Sequence, residues 1–161
     1  MPISTSVSRL QILTGRTSLT ESAVNPFSLP LRVYIEDTDA GGIVYHAKYL
    51  HYMERARTEW VRSFGVGLRD GLSDNISYVV QKLSIHYGVP AKLDDQLSVT
   101  TEPVGFGRVW MDFRQRVIRV SDQKELASAD VRVACIALDS GRPRRLPPAM
   151  AELLAHSHKP V

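Results

Sequence analysis

A chain of 161 residues with 43% apolar content is one domain's worth of sequence, with enough side chain to bury a core. Its net charge of +3 and pI of about 9.2 suit a phosphate-bearing partner, but no dense basic patch interleaved with aromatics appears, which disfavours nucleic acid. No apolar run reaches membrane-spanning length, and the single cysteine, Cys135, leaves no intrachain disulfide to form, so the chain reads as a soluble, cytoplasmic protein. Cys135 lies in an apolar run over residues 131–138 and reads as a buried, inert thiol.

Residues 1–30 are rich in Ser and Thr, carry Arg9 and Arg16, and have Glu21 as their only acid. They read as a flexible N-terminal extension, and the same composition would suit an organelle transit peptide. One folded domain is expected over residues 31–147, with a C-terminal tail over 148–161. Within the domain the period changes early. Residues 32–36 read as a short strand, 37–46 as a glycine-containing turn, and 47–64 as a helix. Tyr49, Met53, Ala56, Trp60 and Phe64 recur at steps of three and four and form the helix's core stripe. Gly65 and Gly67 then stop it.

A polar turn over residues 70–75 leads into β-branched and aromatic sequence. Strands are predicted over 76–87, 96–104, 109–120 and 126–138, joined by short turns, which points to an antiparallel meander. In the first of these, Val80, Lys82, Ser84 and His86 alternate with Val79, Gln81, Leu83, Ile85 and Tyr87. A short helix is allowed over 148–156. One long amphipathic helix and about five strands make an α+β domain in which the sheet wraps around the helix, and its open edges favour self-association.

Chemistry is most easily placed where the first strand gives way to the helix. Asp37, Asp39, Gly41, Gly42 and His46 collect there, and the free N–H groups of a helix start stabilise negative charge. The run from Asp37 to Gly42 superficially resembles a calcium loop. Its twelfth position is Lys48, a cation where calcium needs a bidentate carboxylate, so no metal is expected. No Gly-Lys-Ser/Thr follows, so it is no phosphate loop. A phosphotransfer carboxylate pair belongs on a parallel α/β sheet, which this meander is not. Asp39 also admits a plain turn-forming role, and His46 that of a structural histidine.

The run VYIEDTDAGGIVYHAKYLHYMERARTEW carries a resemblance. Its Asp-x-Asp, Ala-Gly-Gly and Val-Tyr-His elements and its Tyr-x-x-x-Met-Glu-Arg-Ala-Arg helix face resemble the signature of hot-dog-fold acyl-CoA thioesterases. The Tol-Pal-associated type, relatives of 4-hydroxybenzoyl-CoA thioesterase, is the most similar. The resemblance continues more loosely to Pro147. It implies a hot-dog fold, hydrolysis of acyl-CoA or acyl carrier protein thioesters, no metal or cofactor, and a homodimer with shared sites that pairs into a homotetramer. By the same resemblance Asp39 is the catalytic carboxylate, as nucleophile or general base, and His46 supplies the oxyanion site through its backbone N–H. Gly42 lets the backbone approach the substrate, and Tyr45 is a candidate lining of the acyl pocket. Two rival classes share the fold: a dehydratase or hydratase, and a non-catalytic scaffold of a cell-envelope or lipid-synthesis assembly.

Overall fold

The computed structural model describes residues 26–158. Five strands form one antiparallel sheet in the order β1-β3-β4-β5-β2, with β1 spanning Phe27–Arg32, β2 Ile76–Tyr87, β3 Gln96–Phe106, β4 Trp110–Arg119 and β5 Lys124–Ala137. The expected helix is α1, Lys48–Arg62, fifteen residues and so about 22 Å long. Two shorter helices join it, α2 (Leu68–Ser73) and α3 (Pro148–Ser157).

The inner sheet face is apolar because the strands alternate. Leu97 and Val99 of β3, Met111, Phe113 and Val117 of β4, and Ala129, Val131 and Val133 of β5 are all buried. Across from them α1 turns in Tyr49, Tyr52, Met53, Ala56, Trp60 and Val61, and the Trp60 ring meets Phe113 edge to face at 5.3 Å. Each such aromatic or aliphatic side chain removed from water stabilises the fold by roughly 1.5–3 kcal/mol. One polar group is built into this interface. Gln115 of β4, fully buried, donates from Nε2 to Met53 O at 2.9 Å and to Thr101 Oγ1 at 2.8 Å, while its Oε1 accepts from Arg57 Nη1 at 2.8 Å. It fixes how far α1 is translated along the sheet.

Several expected boundaries move, each for a visible reason. Residues 32–36 are not the first strand. β1 runs earlier, over Phe27–Arg32, paired with β3, and Ile35–Asp37 closes into a single 3₁₀ turn because the Asp37 carboxylate accepts the Tyr34 N–H at 2.9 Å. β1 therefore lies inside the stretch expected as extension, and Pro30 is tolerated there because β1 is an edge strand. Residues 1–25 and 159–161 lie outside the described residues, and the targeting question with them. Phe64 leaves the core stripe. It lies past the last turn of α1, 51% exposed, where Gly65 at φ +76° ends the helix. Residues 70–73 of the expected polar turn belong to the helix α2, which buries none of its residues. The supposed tail folds back instead, as α3 buries Met150, Leu153 and Leu154.

The even alternation read into β2 also fails. A bulge between Val80 and Lys82 inserts Gln81, so Tyr78 and Val80 oppose the buried Cys135 and Val133, whereas beyond it Leu83 opposes the buried Val131. The inward side chains switch from even to odd numbers at that point.

Candidate active site

Between β1 and α1 the chain makes a small hairpin-like loop. Thr38 bridges Val44, Asp39 N–H donates to Ile43 O at 2.9 Å, and Gly42 N–H to Asp39 O at 3.0 Å. Gly42 takes φ +76°, a left-handed conformation that a side chain would strain. At Gly41 an added Cβ would stand 3.1 Å from Asp39 Oδ1, and the Gly41 N–H donates to that same oxygen at 2.8 Å. The two glycines thus shape the turn around the Asp39 carboxylate. Asp39 is exposed, and its Oδ2 takes no hydrogen bond among the described residues.

A second layer holds the loop from outside. Val44 N–H donates to Ala91 O at 2.9 Å, Ile43 bridges Lys92, and Ala91 N–H donates to the Tyr49 hydroxyl at 2.9 Å. Burial pushes the Tyr49 phenol above its ordinary pKa, which keeps it neutral as hydroxyl and acceptor. Tyr87, at the end of β2, donates its hydroxyl to His46 O at 2.9 Å. The His46 ring lies 4.5 Å from Tyr45 and 6.4 Å from Tyr87 between centroids.

The start of α1 is uncapped. Ala47 is the N-cap and no side chain accepts from the first turn. Lys48 N–H returns to Tyr45 O and Leu50 N–H to Ala47 O, while the amides of His46 and Ala47 have no acceptor among the described residues. Those two donors, with the helix dipole behind them, are the local positive potential of the site.

Of the predicted site residues, Asp39 and Gly42 share one turn, while Tyr45 and His46 share the next with Tyr87. No hydrogen bond joins Asp39 to His46. None of the four lines an apolar cleft of about 660 Å³ that lies along the far half of α1 between α1, α2, β2 and β4. Val61, Leu72, Tyr78, Val80 and Phe113 make its apolar wall, with Glu54 and Arg57 on its polar side. By the helical rise, Thr58 in that wall stands roughly 16 Å along the axis from Ala47.

Sequence reasoning missed Tyr87 and Asp37. Tyr87 ends a strand, in the part of the chain where the resemblance is looser. Asp37 is the buried member of the pair, 4% exposed, with Lys48 Nζ 3.4 Å from its Oδ1. Among the described residues no cluster of three or more metal-ligating side chains is present, and no helix is long and apolar enough to cross a membrane.

With this geometry in place, similarity to known proteins becomes informative. The model of the thioesterase-like superfamily matches residues 33–154. The acyl-CoA thioesterase YbgC of Haemophilus influenzae is 44% identical over 133 residues, which is 82% of this chain and 96% of that protein. The acyl-CoA thioester hydrolase YbgC of an Escherichia coli O6:H1 strain is 40% identical over 121 residues, 75% of this chain and 90% of that protein. Among solved structures, a probable thioesterase from Bartonella henselae superposes with a TM-score of 0.71 at 32% identity, covering 76% of this chain and all of that one. A 1,4-dihydroxy-2-naphthoyl-CoA thioesterase from Synechocystis reaches 0.77 at 23% identity over 84% of this chain, a likeness of fold. The five-stranded antiparallel sheet over one long helix is a hot-dog fold of the α+β class. A match over residues 33–154, together with relatives at 40% and 44% identity across most of their length, establishes that this chain belongs to the thioesterase-like superfamily.

Proposed function

We propose that the protein is a thioester hydrolase acting on acyl-CoA, with Asp39 as the reacting carboxylate and the amides of His46 and Ala47 as the oxyanion donors. The observation that carries the site assignment is the pairing of an exposed carboxylate, fixed by the Gly41 N–H in a tight turn, with an uncapped helix start eight residues on. Family membership and the names of the YbgC relatives support the reaction class.

Two routes balance. As general base, Asp39 takes a proton from water while the water oxygen bonds to the thioester carbon. The carbonyl oxygen becomes an oxyanion facing the helix-start amides, the C–S bond breaks, and the departing CoA sulfur receives the proton from Asp39. As nucleophile, Asp39 bonds to the thioester carbon as the C–S bond breaks, and water then cleaves the mixed anhydride, restoring the Asp39 carboxylate and yielding the proton that the CoA thiolate takes up. Either route places negative charge where unpaired N–H donors stand, and one such donor is worth about 3–4 kcal/mol in the transition state. No metal or cofactor enters either route.

Finer readings follow from the resemblance. Acyl carrier protein thioesters are alternative substrates, a Tol-Pal connection is the expected setting, and the cytoplasm the expected compartment. The free edge of β2 supports a homodimer that pairs into a homotetramer. A shared site would explain why the apolar cleft lies at the opposite end of α1 from Asp39. Free-thiol release from a panel of acyl-CoAs tests the reading. Asp39→Asn is expected to abolish release, and retention of most turnover by that variant removes Asp39 from the mechanism.

A further inference from the structure

Lys48 occupies an electrostatically awkward position. It is the first residue of α1, where the helix dipole is positive and a cation is disfavoured. What offsets this is Asp37, whose buried carboxylate stands 3.4 Å from the Lys48 ammonium and also accepts the Tyr34 N–H. A third group completes the cluster. The Tyr52 hydroxyl, one helical turn beyond Lys48 and 1% exposed, makes no hydrogen bond of good geometry, and it is the one buried side-chain polar atom among the described residues of which this is true. Burial first, and the Asp37 carboxylate second, raise its pKa well above the ordinary phenol value. A neutral phenol, an ammonium and a main-chain amide therefore gather around one carboxylate.

The carboxylate that must stay free is close by. Asp39 lies two residues on, at most about 7 Å of chain from Asp37, which is the gap the Lys48 side chain would cross if Asp37 released it. A carboxylate paired with an ammonium is a weaker base and a weaker nucleophile. We propose that Asp37 is a positioning residue for the reaction: it draws the Lys48 ammonium onto itself and so keeps it from neutralising Asp39. This inference rests on the reading of Asp39 given above.

The experiment measures kcat and KM separately for acyl-CoA hydrolysis, with thermal melts on each variant. Asp37→Asn releases Lys48, and kcat is expected to fall about tenfold or more with KM changed by less than about threefold. Lys48→Met added to Asp37→Asn removes the released cation, and kcat is expected to return to within about threefold of the unaltered protein. That double variant also leaves no uncompensated buried charge, so it folds even where the single variant does not. Tyr52→Phe leaves the ion pair in place and is expected to keep kcat. A double variant that stays as slow as Asp37→Asn, or an Asp37→Asn variant with unaltered kcat, overturns the proposal. Turnover by Asp39→Asn would instead defeat the underlying assignment, so the two failures are told apart.

Discussion

Replacing Gln115 by Leu tests how α1 is seated on the sheet. The substitution keeps volume and apolar packing but deletes three hydrogen bonds inside a fully buried layer. Its partners do not leave with it. Thr101 Oγ1 loses its donor while Met53 O keeps only its bond within α1, and a group left unsatisfied costs roughly 1–3 kcal/mol. Arg57, buried and with its pKa lowered first by desolvation, loses the neutral acceptor of its Nη1 and keeps only the Glu54 carboxylate. Relaxation and water entry recover part of the total, which leaves about 3–5 kcal/mol of destabilisation. For a domain of this size that lowers Tm by roughly 8–15 °C. Urea unfolding followed by circular dichroism gives the free energy directly, and adding Arg57→Met should restore part of the loss by removing the stranded charge. A loss under about 1 kcal/mol for Gln115→Leu alone would refute the claim that this triad fixes the helix.

Further expectations follow from individual positions. Gly42→Ala forces a side chain into φ +76°; about 1–2 kcal/mol of stability should be lost in urea titration, with a larger proportional fall in turnover because the same turn carries Asp39. Burial pushes the Tyr78 phenol from 10.0 up to about 12, so the neutral form is the one the fold favours. Stability should therefore hold below pH 10 and decline as pH climbs toward 12, and Tyr78→Phe should flatten that decline in melts taken across the range. At Gly107 an added Cβ would collide with Trp110 Nε1, so Gly107→Ala should displace the indole ring and its contact with Arg132, visible as a change in tryptophan fluorescence.

Much of this architecture was legible because long elements have strong periods. The helix stripe from Tyr49 to Trp60 and the alternation of β3 and β4 each repeat often enough to outweigh local exceptions. What escaped was set by one or two residues acting at a distance. The bulge at Gln81 leaves no mark in composition, since both its flanks still alternate. The first strand was misplaced because Tyr34 and Ile35 look like strand residues, yet they are 62% and 77% exposed, and a single carboxylate bends them into a turn. For the site, Asp39 and Gly42 share one tight turn and His46 stands just before α1, and their roles belong to the function proposed above. The choice of Asp39 within Asp-x-Asp came from the resemblance alone, because nothing local in the sequence marks Asp37 as the buried carboxylate, paired with Lys48 eleven residues on, and Asp39 as the exposed one.

The clamp at Ala91 ties the loop's mobility to the body of the protein. Its carbonyl holds Val44 and its amide is held by Tyr49, a buried residue of α1. The hairpin that bears Asp39 therefore has no hinge of its own at that end. Val44 and Ala91 amides should exchange with deuterium in step with each other and at rates set by opening of α1, not by fraying of a surface turn. Substrate entry would then have to proceed through a rigid doorway, with adaptation left to whatever moves at the other end of the long helix.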